Sequence, residues 1–426
     1  MTVEAPRRPT GPPGRIGFGN QRDYETDRIG FLLRNQREYG DVFAFSDDST
    51  VILDPELIQR IHQRTNAEFV TEMSMFSDKR RAQWLLTTID ATMVNRRSGW
   101  RGVKRSASLP RADRLVSVCD RTVDATDGAE VDVVELTRRI AGLSAAEFCL
   151  GGAGDDVSAL VDALDPAVQA TMDMMNRPWR PPSWLPLPRT KRFERTARRF
   201  GAELDNLMER RHGAATPDEP RDLLDVMAGD DLADVPLMLT LMLRASYANP
   251  GAALAFAVRQ FAHRPDVVAR LRAESAELGD PMSSDRRYAE AVVKEILRMY
   301  PPSWLGGREV VEPVTVGEWD FRPGDQVMFS PYVVHRDERF WSDPEKFDPD
   351  RWLTGKSPHT RHAYLPFGAG PRICVGNQLA MVELTLDVAR LAERYDIEVS
   401  NPDVPAIPQT VLAPQGLRAR FVRRDG

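Results

Sequence analysis

Cysteine is scarce in this chain, with three in 426 residues: Cys119, Cys149 and Cys374. They are too few and too scattered for a disulfide framework or a four-ligand zinc site, so any metal chemistry rests on one thiolate. Long apolar runs are missing as well. No stretch approaches the roughly 20 residues that span a bilayer. The opening segment MTVEAPRRPTGPPGRIGFGN lacks the apolar core of a secretory signal. Together these predict a cytoplasmic protein with no membrane partner. Charge is not strongly one-sided: a formal net charge of −6 with 28% charged residues argues against a global nucleic-acid binder. Internal repeats, low-complexity tracts and obvious linkers are also lacking, so one domain over residues 1–426 is the economical expectation. The 42% hydrophobic content is ample for a large core.

Periodicity then places the elements. VFAFSDDSTVILD, residues 42–54, alternates apolar and polar residues around a turn and predicts an antiparallel hairpin. From about Pro55 to Glu209 most apolar residues recur at helical spacing. Breaks fall at Gly151-Gly152 and in RPWRPPSWLPLPR, residues 177–189, whose five prolines predict a loop. A long helix over Asp234 to His263 is apolar nearly all round and should cross the interior. Another runs from Asp285 to Met299 and stops at Tyr300-Pro301-Pro302. Short strands follow in VTVGEWDFRPGDQVMFSP, and a last helix runs from about Asn377 to Arg394. The expectation is a mainly α protein with small β-sheets, the β-rich parts lying near 40–55 and 305–330.

The chemistry concentrates in Phe367-Gly368-Ala369-Gly370-Pro371-Arg372-Ile373-Cys374-Val375-Gly376, directly before the last helix. A thiolate at a helix N-terminus is favoured by unsatisfied N–H groups and the dipole, and the anionic sulfur is the form that binds metal. Glycines on both sides let the backbone approach closely. Two readings stand for such a cysteine: an inert thiol in a turn, or a metal ligand.

This segment resembles the haem-binding loop of the cytochrome P-450 superfamily, Phe-x-x-Gly-x-Arg-x-Cys-x-Gly, at every fixed position. The resemblance extends to Glu295-Ile296-Leu297-Arg298, to Phe347-Asp348-Pro349-Asp350-Arg351-Trp352 and over nearly the whole chain. It implies the superfamily's fold, a helical prism around haem, and a buried structural network of Glu295, Arg298 and Arg351. It makes Cys374 the ligand of the iron of haem b, with Phe367 beside the sulfur, Arg372 reaching a propionate, and Gly368, Gly370 and Gly376 shaping the loop. Arg308 and His335 stand where relatives place further propionate contacts. Trp100-x-x-x-Lys104 resembles the family's Trp-x-x-x-Arg, with Lys in place of Arg.

One departure concerns the reaction. Relatives carry an acid followed by Thr on the long central helix, and the corresponding positions here are Ala248 and Asn249, within Ala245-Ser246-Tyr247-Ala248-Asn249-Pro250-Gly251. Pro250 removes a donor and crowds the Ser246 carbonyl, so the helix is expected to kink or widen and open a groove. Asn249 donates and accepts hydrogen bonds, and either orders dioxygen, water or substrate or merely satisfies the backbone freed by proline. Ala245, Ala248, Asn249 and Cys374 are thus the candidate catalytic positions.

By the same resemblance the substrate pocket draws on Met73, Met75, Phe76 and Met93, then on Met172 and Met175 before the proline-rich loop and Leu243 on the central helix. Ser303, Trp304 and Leu305 would line it after Pro302, and Val411 and Leu412 near the end. Methionines and aromatics suit an adaptable apolar cavity or plain core filling. The implied activity is a dioxygen-activating monooxygenase-type oxidation of a hydrophobic small molecule, by hydroxylation or oxidative coupling, in natural-product biosynthesis. Electrons would come from NAD(P)H through an external ferredoxin and ferredoxin reductase, with the basic run Arg96, Arg97, Arg101, Lys104, Arg105, Arg111 and Arg114 as docking face or solvated helix. The alternatives are a haem-thiolate isomerase or dehydratase that needs no reductase, and a non-catalytic haem sensor.

Overall fold

Element boundaries follow the caps that the sequence supplies. The Asp54 carboxylate accepts from Leu57 N at 2.8 Å and Pro55 takes the first helical position, which starts the helix Pro55–Gln63. Asp132 does the same for the helix Val133–Leu150, accepting from Glu135 N at 3.1 Å. The structure, a computed structural model, describes residues 7–14, 19–71, 112–151, 157–175, 187–212, 221–227, 235–283 and 285–424. The chain divides into two units, one of residues 1–79 with 297–374, the other of residues 80–296 with 375–426.

The first unit holds a five-stranded sheet. The expected hairpin forms from Val42–Ser46 and Ser49–Ile52, paired antiparallel with Phe43 opposite Val51. The sheet continues through Gln326–Phe329, parallel to Ser49–Ile52, then Gly306–Val310 and Phe69–Thr71. Its inner face and the helix Pro55–Gln63 bury Ile52, Ile58, Ile61, Phe69, Val327 and Phe329 together with Ala363 and Leu365. At about 1.5–3 kcal/mol per large apolar side chain, this shared core ties residues 363–365 to the sheet.

The second unit is mostly helical. The central helix runs from Val235 to His263 without a break through Pro250, so proline does not end it. The flanks explain this. Residues 252–258 of the helix are almost wholly buried, and Gly251 lies so close to the helix Val133–Leu150 that a Cβ would stand 2.7 Å from Arg138 Cα. Packing on both sides of the proline outweighs the lost hydrogen bond. The helix Arg287–Met299 begins two residues after the Asp285 read from sequence, and Asn377–Arg394 matches its expected bounds. Part of the 177–189 segment is helical after all: Pro188 opens the helix Pro188–His212, an allowed place for proline because the first N–H has no partner there.

One turn apart on the helix Asn377–Arg394, Glu383 and Asp387 are both buried. Glu383 Oε1 and Asp387 Oδ1 have no hydrogen-bond partner among the described residues. The buried Cys119 thiol, from the helix Ala112–Asp124, donates to Asp387. Burial, reinforced by the charge of Asp387, pushes Glu383 well above the usual carboxylate range. Burial likewise pushes Asp387 up to about 8, against the pull of the Cys119 hydrogen bond.

An unfolded Asp titrates near ~3.9, so above that pH the unfolded chain has lost a proton that the folded chain keeps. Stability therefore declines as pH rises, until Asp387 ionises at about 8. Asp387→Asn is expected to flatten this decline, measured as urea unfolding free energy at about pH 5 and about pH 8. A slope as steep as that of the unsubstituted protein would place the titration elsewhere.

Candidate active site

Of the three cysteines only Cys374 is exposed, whereas Cys119 and Cys149 are buried and burial raises both of their thiol pKa values. The backbone fixes Cys374 from its own side. Cys374 N donates to Phe367 O at 2.9 Å, Ile373 N to Gly370 O at 3.1 Å, and Gly368 N to Leu365 O at 3.2 Å. Residues Gly370–Arg372 form a single 3₁₀ turn inside this loop. Gly370 has φ 68° and faces the end of the helix Pro55–Gln63, where a Cβ would fall 2.2 Å from His62 O. No other residue fits both the left-handed backbone and that approach. In sequence, Cys374 stands two residues before Gly376, the N-cap of Asn377–Arg394, and no side chain caps that helix.

A chain of contacts anchors the loop to the sheet unit. Arg298 is fully buried and donates to the carbonyls of His335 at 2.9 Å, Pro344 at 2.7 Å and Lys346 at 3.1 Å. Arg351 donates to Ser342 O, Asp343 O and Lys346 O, so the two guanidinium groups share the Lys346 carbonyl. Glu295 is buried one turn before Arg298 on the same helix. His335 completes the chain. Its Nδ1 meets Arg298 O at 3.0 Å, and its Nε2 accepts from Leu365 N at 2.8 Å.

This corrects the expectation for His335. Both ring nitrogens are spent on backbone and the side chain is wholly buried, so it has nothing to offer a propionate. Burial holds its pKa down at about 3, which keeps it neutral and able to accept from Leu365. It positions the cysteine loop instead.

Two other cations do gather beside the loop. Arg308 Nε donates to Thr65 Oγ1 at 3.2 Å, and its guanidinium lies over the Phe329 ring at 5.5 Å. Arg372 Nε donates to Asn66 Oδ1 at 2.8 Å, and burial lowers its pKa. Thr65 and Asn66 are neighbours, so one short segment brings both guanidinium groups to the same place. His62, four residues before Asn66 near the end of the helix, is buried with its pKa lowered to about 4, first by burial and then by the Arg308 charge. It stays neutral and adds no competing cation, and its Nδ1 is held by Ile58 O at 2.8 Å. Thr65, Asn66 and His62 were not foreseen. The available signal was a histidine on the apolar stripe of PELIQRIHQ, four residues after Ile58.

These residues fit a haem. An exposed thiol on a rigid loop suits an axial ligand, and two guanidinium groups at one place suit the two carboxylates that a porphyrin must neutralise on burial. Phe367, Gly368 and Gly376 are half-buried around the thiol in sequence. Trp100 and Lys104 lie outside the described residues, as do Met73, Met75, Phe76 and Met93 and the basic run up to Arg111. Arg114, the last of that run, donates to Gly151 O at 3.0 Å.

The remaining expected positions divide by exposure. On the central helix Ala245 is exposed, Asn249 half-buried and Ala248 buried. Ser303 is exposed, and Leu305 and Met172 are half-buried, which leaves surface for a ligand. The Met175 side chain lies outside the described residues. Leu243 and Leu412 have no exposed surface, and Trp304 and Val411 almost none. These four side chains are packed among protein atoms in the interior.

The chain matches the cytochrome P450 family over residues 9–419. It is 32% identical to cyclooctatin synthase of Streptomyces melanosporofaciens over 252 residues, 55% of this chain and 54% of that protein. It is also 32% identical to cyclooctat-9-en-7-ol 5-monooxygenase of the same organism over 225 residues, 50% of this chain and 49% of that protein. These matches span about half the length of the curated relatives. Among solved structures, a retinoic acid-bound cyanobacterial CYP120A1 shares the fold at TM-score 0.78 and 20% identity, over 99% of this chain and 100% of the other. Among the described residues no helix is long and apolar enough to cross a membrane. The loop that presents Cys374, the arginine pair beside it and the match along nearly the whole sequence lead to one conclusion: the chain belongs to the cytochrome P450 family.

Proposed function

We propose that the protein is a haem-thiolate monooxygenase-type oxidoreductase that tailors a hydrophobic small molecule by hydroxylation or intramolecular oxidative coupling. The observation that carries this reading is the exposed Cys374 thiol on a loop braced by His335, with Arg308 and Arg372 gathered at Thr65 and Asn66. Haem b, when bound, supplies a redox-active iron competent for dioxygen chemistry. Cys374 would be its ligand, and Arg308 and Arg372 would pair with its carboxylates.

The central helix carries two alanines and one amide side chain ahead of Pro250. Of the two alanines, Ala245 is exposed and small enough to leave space beside the helix, while Ala248 is already buried by protein. Asn249 offers an amide that can orient water or a substrate oxygen, but it relays protons less readily than a carboxyl group. In this reading protons come from water or substrate groups. The names of the relatives support a terpenoid-type substrate, since one is named for oxidation of cyclooctat-9-en-7-ol. Electrons would reach the protein from NAD(P)H through a separate ferredoxin and its reductase, in a cytoplasmic setting.

The alanine and asparagine at 248 and 249 favour a second reading, a haem-thiolate isomerase or dehydratase, because neither reaction needs an acid–alcohol pair to deliver protons to dioxygen. Turnover with and without dioxygen and a ferredoxin system separates the two, since the monooxygenase requires both. Asn249→Ala should lower the fraction of electrons recovered in product. An unchanged product yield and profile would make Asn249 structural.

Two measurements test the Cys374 assignment itself. Reduced protein under carbon monoxide is expected to show the strongly red-shifted absorption of thiolate-ligated haem, and Cys374→Ser to lack it. In haem-free native protein one thiol should react quickly with a disulfide reagent, and Cys374→Ser should abolish that fast phase. Fast reaction of Cys119 or Cys149 in the folded state would contradict the burial pattern.

A further inference from the structure

The central helix Val235–His263 is buried on most sides, yet its middle turns carry an open face. Ala245 is exposed, and Leu241, Arg244 and Asn249 are half-buried. At about 100° per residue these positions share one side, while Leu239, Leu243, Tyr247 and Leu254 on the other side are buried. Alanine offers little surface of its own, so an exposed alanine inside a buried helix marks open space beside it.

Arg244 is the charge at the middle of that face. Its Nε is buried and has no hydrogen-bond partner among the described residues. Its guanidinium carbon lies 5.6 Å from the centroid of the Phe200 ring, from the helix Pro188–His212. Burial alone acts on its pKa, downward, with no carboxylate opposing it. Other buried guanidinium groups in the chain are met by oxygens: Arg211 by Asp222 at 2.7 Å and Asp225 at 2.8 Å, and Arg298 by three carbonyls. A cation–π contact of this kind uses none of the guanidinium N–H donors, which leaves them for an oxyanion.

We propose that Arg244 anchors an oxyanion, carboxylate or phosphate, carried by the apolar molecule that lies along this face, so that the substrate is an amphiphilic acid. This rests on the proposed function only in taking the open face as the substrate side. The anchor sits five residues before Asn249, about one and a half helical turns. A bound acid is thereby held by its charged end with its apolar body left to lie along Ala245 toward Asn249. Arg244 is a specificity residue, with no part in the chemical step.

The test is calorimetric titration of the haem-loaded full chain with laurate, dodecyl phosphate and dodecanol. The two anions are expected to bind about tenfold or more tightly than the alcohol, and whichever anion binds better identifies the headgroup. Arg244→Gln should erase that preference and leave dodecanol affinity and melting temperature unchanged, while Arg244→Lys should keep part of it. Equal affinity for acid and alcohol in the unsubstituted protein, or parallel loss of both in Arg244→Gln, would overturn the anchor. The two proposals fail separately. A red-shifted carbonmonoxy spectrum without anion preference removes only the anchor, and an Arg244-dependent anion preference without that spectrum removes only the haem-thiolate reading.

Discussion

The imidazole of His335 is the constraint on which the site depends. One ring nitrogen meets the Arg298 carbonyl and the other accepts from the Leu365 backbone, which begins the loop ending at Cys374. Because burial keeps the ring neutral, it can bond to a carbonyl and an amide at once. From Leu365 the order is passed on by backbone bonds to Gly368 and, through Phe367, to Cys374. A thiol presented this way has its backbone position fixed before any ligand arrives, the preorganisation that a metal site needs.

The protein buries several guanidinium groups and meets the cost of each differently. Arg298 is surrounded by carbonyl oxygens, which pair a cation without adding a second charge to desolvate. Arg211 is neutralised by two aspartates and the Leu150 carbonyl. Arg336 lies 3.8 Å from the centroid of the Tyr332 ring and 3.5 Å from Glu345. The first two are structural devices, fully paired within their own surroundings. Arg308 and Arg372 differ in their partners: each bonds to a neutral side chain of one short segment, Arg308 to Thr65 and Arg372 to Asn66.

Much of the architecture was legible from local pattern. The hairpin at 42–52, the long apolar helix and the helix after Cys374 were readable because alternation, helical period and caps are properties of neighbouring residues. The turn that carries Cys374 was also readable, since a cysteine among glycines before a helix is a short-range signal. His335 was misjudged for the converse reason. A histidine read from sequence has two open ring nitrogens, and only folding fills them, one from residue 298 and one from residue 365. Leu243 was expected to line a pocket because the resemblance places its helix there, and its burial shows that the side of a nearly all-apolar helix that stays open depends on what packs against it.

The amino-acid order by itself determined the family, because the motif around Cys374 is a matter of residue identity at fixed spacing, and it raised the expectations that Cys374 is the metal ligand and that Ala248 and Asn249 stand in place of an acid and an alcohol. The tertiary structure decided which charges are paired, which cysteine is exposed and which residues gather at the loop. Those outcomes depend on contacts between segments such as 62–66, 308 and 372, and burial then sets the protonation of every group that the contacts enclose.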